Sequence, residues 1–250
     1  MSYAEIHFHL LPGIDDGPSS IEESVALAAA AAAEGTRTIV ATPHVHPMFD
    51  TDVSTLPDRV EEVRARLAAE RIRIEVLCGA ELAHDMVGGL SQSELETIAH
   101  GPRGRRWLLL EAPLAGADET YTAAAEELRE RGFGVVVAHP ERALATGPAG
   151  WRAIEHELAA GSALQVNAWS VAGLYGRRVR DIALSLLERA PRAVIASDAH
   201  GGQRMPALWL ALGALASAGT PKARAIEFIS DGPHSLLESG VGADRDVLAA

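Results

Sequence analysis

Two histidines near the start of the chain alternate with apolar residues in a pattern typical of a β-strand. His7 and His9 flank Phe8, and Ile6 precedes them. Because successive side chains of a strand point to opposite faces, both imidazoles lie on the same face. Neutral imidazole is a common metal ligand, so such a strand can bind one metal ion with two side chains. A solvated edge strand would show the same local pattern, and the interpretation therefore depends on the other titratable residues.

Further residues of metal-ligand type follow the other predicted strands or lie in the first loop. They are Asp16, His44, Glu81, Glu111, His139, Asp198 and His200. A titratable group at the end of an apolar strand is costly unless it is paired or bound. Each of these residues alone is most simply a capped or solvated loop residue. Their recurrence at six of seven predicted strand ends predicts one shared site.

The chemistry of this set indicates a catalytic metal site. Five imidazoles and four carboxylates, with no thiolate, form a nitrogen and oxygen ligand set that suits Mn, Fe or Zn. Nine ligands are too many for one ion and enough for two or three. Clustered divalent ions bind phosphoryl oxygens, generate hydroxide from bridging water and stabilise the leaving oxygen. The set therefore favours hydrolysis of a phosphate ester.

Three more residues are catalytic candidates. Arg142 follows His139 by three residues, and Arg204 follows His200 by four. A guanidinium can bind phosphate oxygens through two hydrogen bonds, so we predict that both arginines hold the phosphoryl group. The alternative for each is an ordinary surface position. For His46 three roles are open: a substrate contact, a general acid or a polar loop residue.

Alternating strands and helices position these residues. Apolar runs predict seven strands, each followed by a helical segment; after the first, Ser20 and Glu23 predict a capping box at the start of the helix. The strands are predicted around His7 and His9, and at 38–42, 73–79, 107–110, 133–138, 163–166 and 193–196. Such a series favours a parallel sheet in a TIM-like β/α barrel that forms one domain over residues 1–250, with a doubly wound open sheet as the alternative. Catalytic residues of a β/α barrel lie at the carboxyl ends of the strands, where the candidates fall.

Composition and charge exclude several functional classes. The chain has 22 Lys and Arg against 34 Asp and Glu, and its net charge of -12 argues against nucleic acid as the main partner. No apolar run is long enough to cross a membrane, and we expect no signal peptide, no membrane insertion and a cytoplasmic location. Cys78 is the single cysteine, which excludes an intrachain disulfide. Position 84 is His where a C-x5-R phosphate loop requires Arg, so a thiolate mechanism is not expected.

Seven short motifs, in order, extend over nearly the whole chain. They are His7-Phe8-His9 with Leu11-Pro12-Gly13-Ile14-Asp15-Asp16-Gly17, Ala41-Thr42-Pro43-His44, Gly79-Ala80-Glu81, Leu110-Glu111, His139-Pro140-Glu141-Arg142, Gln165-Val166-Asn167-Ala168 and Ser197-Asp198-Ala199-His200. This series resembles the PHP (polymerase and histidinol phosphatase) superfamily. Within that superfamily it is most similar to the bacterial tyrosine-protein phosphatases of the CpsB/CapC type.

The resemblance implies a distorted, seven-stranded β/α barrel of the PHP type with a trinuclear, typically manganese, centre. It implies that the nine candidates are the metal ligands and that Arg142 and Arg204 bind phosphate. It further implies that the enzyme dephosphorylates phosphotyrosine in protein during capsule or exopolysaccharide regulation, through in-line attack by a metal-bridging hydroxide and without a phosphoenzyme. The implied partner is a bacterial tyrosine kinase with a tyrosine-rich tail.

The chain also departs from the family pattern. Glu5 stands where the family usually has Asp, and Phe8 where it usually has a small residue. Val45 separates His44 from His46, whereas the family usually has two adjacent histidines. The changed spacing leaves the identity of a general acid open.

Two other functions remain open from the sequence. One is a small-molecule phosphatase of the same superfamily, of the histidinol-phosphate type. The other is a non-catalytic metal-binding or regulatory module that keeps the barrel. Comparing turnover of histidinol phosphate and phosphotyrosyl peptides separates the first from the main prediction, and metal occupancy without any hydrolysis favours the second.

Overall fold

The computed structural model describes residues 2–147 and 150–243 of the chain. Within these residues nine strands form two sheets, and every strand pairing inside the sheets is parallel. The strands are β1 (Tyr3–Phe8), β2 (Thr36–Ala41), β3 (His44–Val45), β4 (Glu75–Cys78), β5 (Glu81–Leu82), β6 (Trp107–Glu111), β7 (Gly134–Ala138), β8 (Ala163–Asn167) and β9 (Ala193–Ala196). The first sheet has the order β1-β2-β4, and the second has the order β3-β5-β6-β7-β8-β9.

Helices connect the strands. They are α1 (Ile21–Glu34), α2 (Leu56–Ala69), α3 (Gln92–Ile98), α4 (Glu119–Glu130), α5 (Pro140–Thr146), α6 (Trp151–Ala159), α7 (Ala168–Val171), α8 (Arg177–Arg189), α9 (Leu208–Ser217), α10 (Lys222–Ile226) and α11 (Gly232–Ser239). Short 3₁₀ helices at Val53–Thr55 and His84–Gly89 and a π-helical turn at Glu227–Asp231 complete the regular structure described. Among the described residues, none of these helices has the length and apolar character needed to cross a membrane.

Capping fixes the ends of α1, which lies next to the loop that contains Asp16. The hydroxyl of Ser20 accepts a hydrogen bond from the Glu23 N–H at 3.3 Å. The Glu23 carboxylate accepts from the Ser19 N–H at 2.7 Å, so the predicted capping box forms only in part. The helix ends at Gly35, whose φ of 107° lies in the region that favours glycine.

The predicted number of strands was wrong because two predicted strands are each followed by a further short strand. The strand expected at 38–42 ends at Ala41 and resumes as β3 after Pro43, which has no N–H to continue the ladder. The strand expected at 73–79 is observed as β4, and β5 follows after Gly79, where a Cβ atom would lie 2.6 Å from Val40 Cγ1. The α/β class with parallel sheets is confirmed. The closure of the strands into a barrel and the single domain over residues 1–250 stay predictions.

Backbone hydrogen bonds connect the two sheets at their edges. The His9 N–H donates to the Ala199 carbonyl at 2.9 Å, which holds the segment after β9 beside the end of β1. The Glu81 N–H donates to the Pro43 carbonyl at 3.0 Å, which continues the pairing of β2 with β4 into that of β3 with β5. The carboxyl ends of strands from both sheets therefore come together.

An apolar cluster lies between strands of the two sheets. It includes Ile6, Val40, Leu109, Val136 and Val194, each 2% exposed or less. A larger cluster packs the helices against the strands. Each fully buried aliphatic side chain contributes about 1.5–3 kcal/mol of hydrophobic free energy, so the strands form a rigid base for the residues at their ends.

Candidate metal centre

Most of the predicted metal ligands lie at the carboxyl ends of strands, and His44 and Glu81 begin the short strands β3 and β5 that follow β2 and β4. In the first sheet, His7 lies in β1 and His9 directly follows that strand. In the second sheet, Glu81 begins β5, Glu111 ends β6 and His139 directly follows β7. Parallel strands bring these side chains to one edge of the fold, as expected for an α/β site.

Glu81 lies at the centre of the cluster. Its Oε2 is 3.1 Å from His7 Nε2, 3.1 Å from His44 Nδ1 and 3.3 Å from His9 Nε2. Its Oε1 is 2.7 Å from His139 Nε2. Burial opposes ionisation of this carboxyl, but the imidazoles of His7, His44 and His139 hold the pKa of Glu81 well below its usual range. One buried carboxylate therefore brings four imidazoles together.

Asp198 and His200 complete the cluster from the loop after β9. Asp198 Oδ1 is 3.4 Å from His7 Nε2 and 3.5 Å from His9 Nε2. His200 Nε2 is 3.2 Å from Asp16 Oδ1. His200 Nδ1 donates to the backbone carbonyl of Asp198 at 2.9 Å, so its Nε2 has the free lone pair that points to the cluster.

Three overlapping groups of ligand atoms occur among the described residues, with the atoms of each group within 4.8 Å of one another. The groups are His9, Asp16, His44 and His200; His7, His9, Glu81 and Asp198; and His44, Glu81 and Glu111. His139 is in none of these groups but contacts Glu81. The structure thus brings the nine predicted residues together, and their role as ligands stays a prediction.

Several buried polar atoms of the cluster have no hydrogen-bond partner within the described part of the chain. They are His44 Nδ1, Glu81 Oε2, His139 Nδ1, Asp198 Oδ1 and His200 Nε2. Glu81 Oε2 is close to imidazole nitrogens, but these contacts lack hydrogen-bond geometry. Unpaired buried polar atoms are costly. Converging lone pairs of imidazoles and carboxylates fit a bound divalent cation.

The electrostatics of Glu111 also fit a cation. Burial raises the pKa of Glu111 to about 8, and the carboxylates of Glu81 and Asp198 contribute to the increase. Without additional positive charge, this carboxyl keeps its proton at neutral pH. A divalent cation in the cluster reverses the local charge and favours the ionised form.

Two arginines border the cluster beside Asp198. Arg204 Nη2 is 2.9 Å from Asp198 Oδ2, and Arg142 Nη1 is 3.3 Å from the same oxygen. Arg204 Nη1 is also 3.7 Å from Asp16 Oδ2. The two arginine side chains are 23% and 28% exposed, so each reaches from the buried carboxylate to solvent. Both guanidinium groups are therefore accessible beside the cluster, and their binding of phosphate stays a prediction.

Comparison with known proteins identifies the family. A family model described as capsular polysaccharide synthesis, CpsB/CapC, matches residues 3–237. The chain belongs to the CpsB/CapC family. The predicted membership is therefore confirmed, and the match includes every predicted ligand and both arginines.

Individual members of the CpsB/CapC family show the same relationship. The putative tyrosine-protein phosphatase CapC of Staphylococcus aureus is 30% identical over 206 residues, which cover 81% of this chain and 78% of CapC. The tyrosine-protein phosphatase CpsB of Streptococcus pneumoniae is 28% identical over 245 residues, or 93% and 97% of the two chains. A crystal structure from a study of Bacillus subtilis YwqE and Streptococcus pneumoniae CpsB, described as metal-dependent tyrosine phosphatases, matches with a TM-score of 0.80, 26% identity and 96% coverage of both chains.

His46 lies outside the cluster in this CpsB/CapC protein. Its ring centroid is 6.2 Å from that of His44, and its Nδ1 accepts a hydrogen bond from the Met48 N–H at 3.1 Å. Because a backbone N–H can only donate, the neutral ring has its proton on Nε2. The structure therefore places His46 in a loop beside the site, and its catalytic role stays a prediction.

Asp15 is a site residue that the sequence analysis did not single out. Its Oδ2 accepts from His9 Nδ1 at 2.7 Å and from the His44 N–H at 2.9 Å. The first contact turns His9 Nε2 toward Glu81, and the second fixes the backbone at the start of β3. The signal was the Asp15-Asp16 pair, but only the structure separates the two roles.

The backbone at His139 and Asp198 is another feature that the sequence did not reveal. Their φ angles are 32° and 50°, and among the described non-glycine residues only Arg71 also has a positive φ. Such conformations cost of order 1–3 kcal/mol each and often occur at functional sites. The bends after β7 and β9 therefore turn these two side chains into the cluster.

Tyr175, in the connection between α7 and α8, was also missed. The Cζ atom of Arg142 lies 5.1 Å from the centroid of the Tyr175 ring, within the range of a cation–π contact. The Trp169 ring is also close, with its centroid 6.0 Å from that of Tyr175. The Tyr175 ring thus supports one of the phosphate-binding candidates.

Proposed function

We propose that this CpsB/CapC protein is a metal-dependent phosphomonoesterase that removes phosphate from phosphotyrosine in protein. The main support is a buried cluster of imidazoles and carboxylates with unpartnered lone pairs, directly beside two partly exposed arginines. Membership of the CpsB/CapC family supports tyrosine-protein phosphatase activity, which is the activity named for the matched relatives.

We propose that the cluster holds two or three divalent ions, most simply Mn, with Fe or Zn also compatible with nitrogen and oxygen ligands. The proposed ligands are His7, His9, Asp16, His44, Glu81, Glu111, His139, Asp198 and His200. When bound, divalent cations supply Lewis-acid charge and lower the pKa of water. The overlap of the three groups at His9, His44 and Glu81 favours closely spaced ions.

The side chains of the protein perform the other steps. Arg142 and Arg204 bind the non-bridging phosphoryl oxygens and orient the phosphorus for in-line displacement. Asp198 holds both guanidinium groups through a single carboxylate oxygen, which fixes their spacing. His46 has a proton on Nε2 beside the site, and we propose that it donates this proton to the leaving phenolate.

A cysteine nucleophile is not part of this mechanism. Burial raises the pKa of the Cys78 thiol to about 11, with the nearby Arg64 opposing the increase, so at neutral pH it is a thiol rather than a thiolate. Cys78→Ser is therefore a matched control for the metal mechanism.

The biological partner proposed is a phosphotyrosyl protein in the cytoplasm, specifically the tyrosine-rich tail of a bacterial tyrosine kinase in capsule or exopolysaccharide synthesis. The support is the name of the matched family, capsular polysaccharide synthesis. The net charge of -12 makes nucleic acid an unsuitable substrate.

The test begins with protein that a chelator has stripped of metal, followed by addition of Mn²⁺, Fe²⁺ or Zn²⁺ separately. Hydrolysis of p-nitrophenyl phosphate, a phosphotyrosyl peptide, a phosphoseryl peptide and histidinol phosphate is then measured. We expect phosphotyrosyl hydrolysis that returns with metal and persists in Cys78→Ser. Preferred turnover of histidinol phosphate would favour a small-molecule phosphatase. Metal binding without hydrolysis of any ester would favour a non-catalytic module, and activity that survives chelation but disappears in Cys78→Ser would overturn the mechanism.

A further inference from the structure

Strand β8 ends in the cluster without providing an imidazole or a carboxylate. Its last residues are Gln165, Val166 and Asn167, and the two amides are fully buried. Because they are two residues apart on a strand, both amides point to the same side. A buried amide is costly unless its donor and acceptor atoms are satisfied, so the contacts of these side chains need an explanation.

One backbone N–H fixes the orientation of the Gln165 amide. The His139 N–H donates to Gln165 Oε1 at 3.1 Å, and a backbone N–H cannot accept. His7 Nδ1 is 2.8 Å from the same oxygen, so His7 must donate its proton from Nδ1. The lone pair of the neutral imidazole is then on Nε2, which is the atom next to Glu81 and Asp198.

The hydrogen bonds continue in one direction through Asn167 to Asp198. Gln165 Nε2 donates to Asn167 Oδ1 at 2.9 Å, and Asn167 Nδ2 donates to Asp198 Oδ2 at 2.7 Å. Arg204 and Arg142 contact the same oxygen at 2.9 and 3.3 Å, so Asp198 Oδ2 is occupied outside the cluster, with Asn167 as its shortest contact. Its other oxygen, Oδ1, has no hydrogen-bond partner among the described residues and faces His7 Nε2 at 3.4 Å.

We propose that Gln165 and Asn167 are positioning residues that form one amide relay between His7 and Asp198. The relay keeps the proton of His7 on Nδ1 and turns Oδ1 of Asp198 toward the metal site. This inference rests on the metal site of the proposed function, but not on which phosphoester is hydrolysed. Partners of this kind typically change metal affinity 10- to 100-fold when removed, because they fix the tautomer and orientation of the ligands.

The relay makes a specific prediction for paired substitutions. Gln165→Leu and Asn167→Leu each interrupt the same chain of hydrogen bonds, so each is expected to weaken Mn²⁺ binding by roughly 10- to 100-fold. Both substitutions act through one relay, so their effects should not add. The Mn²⁺ affinity of the double variant is expected to lie within about two-fold of that of the single variant with the lower affinity. Gln165→Glu keeps the acceptor for His7 but cannot donate to Asn167, and it is expected to weaken binding as well.

The experiment measures Mn²⁺ affinity by competition with a chelating dye, and the folded fraction of each variant by circular dichroism. Gln92→Leu, which removes an exposed amide on α3, is the control and should bind like wild type. Additive effects of the two substitutions, or affinities within about two-fold of wild type, would refute the relay. A merely structural role would lower the melting temperature of the variants and leave the affinity of the folded fraction unchanged.

The tautomer of His7 can be measured without any variant. In metal-free, ¹⁵N-histidine-labelled protein at alkaline pH, we expect a protonated Nδ1 and an unprotonated Nε2 at this residue. The opposite tautomer would overturn the inference even if every variant failed to fold. If wild type binds Mn²⁺ but hydrolyses no phosphoester, the proposed function is rejected. The relay is then tested independently by the His7 tautomer and by the Mn²⁺ affinities of the variants. Failure of wild type to bind any divalent ion would reject both.

Discussion

The imidazole rings of His9 and His200 stack with their centroids 3.6 Å apart and their planes inclined by 25°, although they come from opposite ends of the chain. Burial lowers the pKa of His200, and the neighbouring His9 lowers it further, so His200 is neutral at physiological pH. Neutral imidazole is the form that binds metal. His9 follows the first strand and His200 follows the last, and both belong to the group of ligand atoms that also includes Asp16 and His44.

The overlap of the ligand groups predicts a graded loss of metal. His200 belongs to one of the three groups, whereas Glu81 belongs to two. His200→Asn should therefore remove fewer bound ions per chain than Glu81→Gln, as measured by plasma mass spectrometry after dialysis against Mn²⁺. Loss of several kcal/mol of charge stabilisation in Glu81→Gln should also lower kcat by roughly 100-fold or more. Equal metal content in both variants and wild type would contradict the assignment.

Replacement of Arg142 or Arg204 should destabilise the transition state for hydrolysis more than it destabilises the folded protein. Arg142→Lys and Arg204→Lys keep the charge but lose the paired hydrogen bonds to phosphate, which corresponds to about 1.5–3 kcal/mol, or roughly 10- to 100-fold in kcat/KM. The control is Arg189→Lys, at an arginine that packs over Trp151 at 6.0 Å. The measurement is steady-state hydrolysis of a phosphotyrosyl peptide. If both site variants retain the activity of the control, these residues do not bind phosphate.

The contact of Tyr175 with Arg142 predicts an effect on substrate binding. Tyr175→Phe keeps the ring under the guanidinium, and we expect a nearly unchanged KM. Tyr175→Leu removes a cation–π contact of about 0.5–1 kcal/mol, so KM should rise by roughly two- to five-fold while metal content stays constant. An equal effect of both substitutions would indicate that the hydroxyl, and not the ring, matters.

Glu5 predicts a pH dependence of stability. Burial raises the pKa of Glu5 to about 8, although hydrogen bonds from Ser197 oppose the increase. Between the ordinary carboxyl pKa and about 8, the folded protein retains a proton that the unfolded chain has lost. The free energy of unfolding therefore falls as pH rises through this range, by at most about 1.4 kcal/mol per pH unit for this group.

Glu5→Gln removes that dependence. In urea denaturation of metal-free protein, the stability of E5Q relative to wild type should increase from pH 5.5 to 7.5. Glu22→Gln, at an exposed position of α1, provides the control for the loss of one carboxylate. A constant difference between E5Q and wild type across this range would show that Glu5 ionises normally.

The ligand cluster was predictable because metal-ligand residues follow apolar strands. Alternation in β1 placed His7 and His9 on one face, and strand ends identified Glu81 and Glu111. The strand count was not predictable from apolar runs. Short strands follow at His44–Val45 and Glu81–Leu82, just beyond the ends of two predicted runs, and two-residue strands leave no apolar pattern of their own.

The contacts of the supporting residues could not be predicted from the sequence, for a different reason. Gln165, Asn167 and Tyr175 are neutral, and their neighbours along the chain do not reveal their partners. Gln165 contacts His7 from a distant part of the chain, and Tyr175 contacts Arg142 from a loop. Such contacts depend on which side chains meet across the fold, and the approach of β8 to β1, in the other sheet, becomes visible only in the structure.

The most direct test of the metal centre is anomalous diffraction from crystals of the protein grown with Mn²⁺. We predict two or three anomalous peaks inside the cluster, with at least one within coordination distance of His7 Nε2, His9 Nε2 and Glu81 Oε2 together. Crystals at full Mn²⁺ occupancy with peaks only at surface carboxylates, and none among these three atoms, would contradict the account.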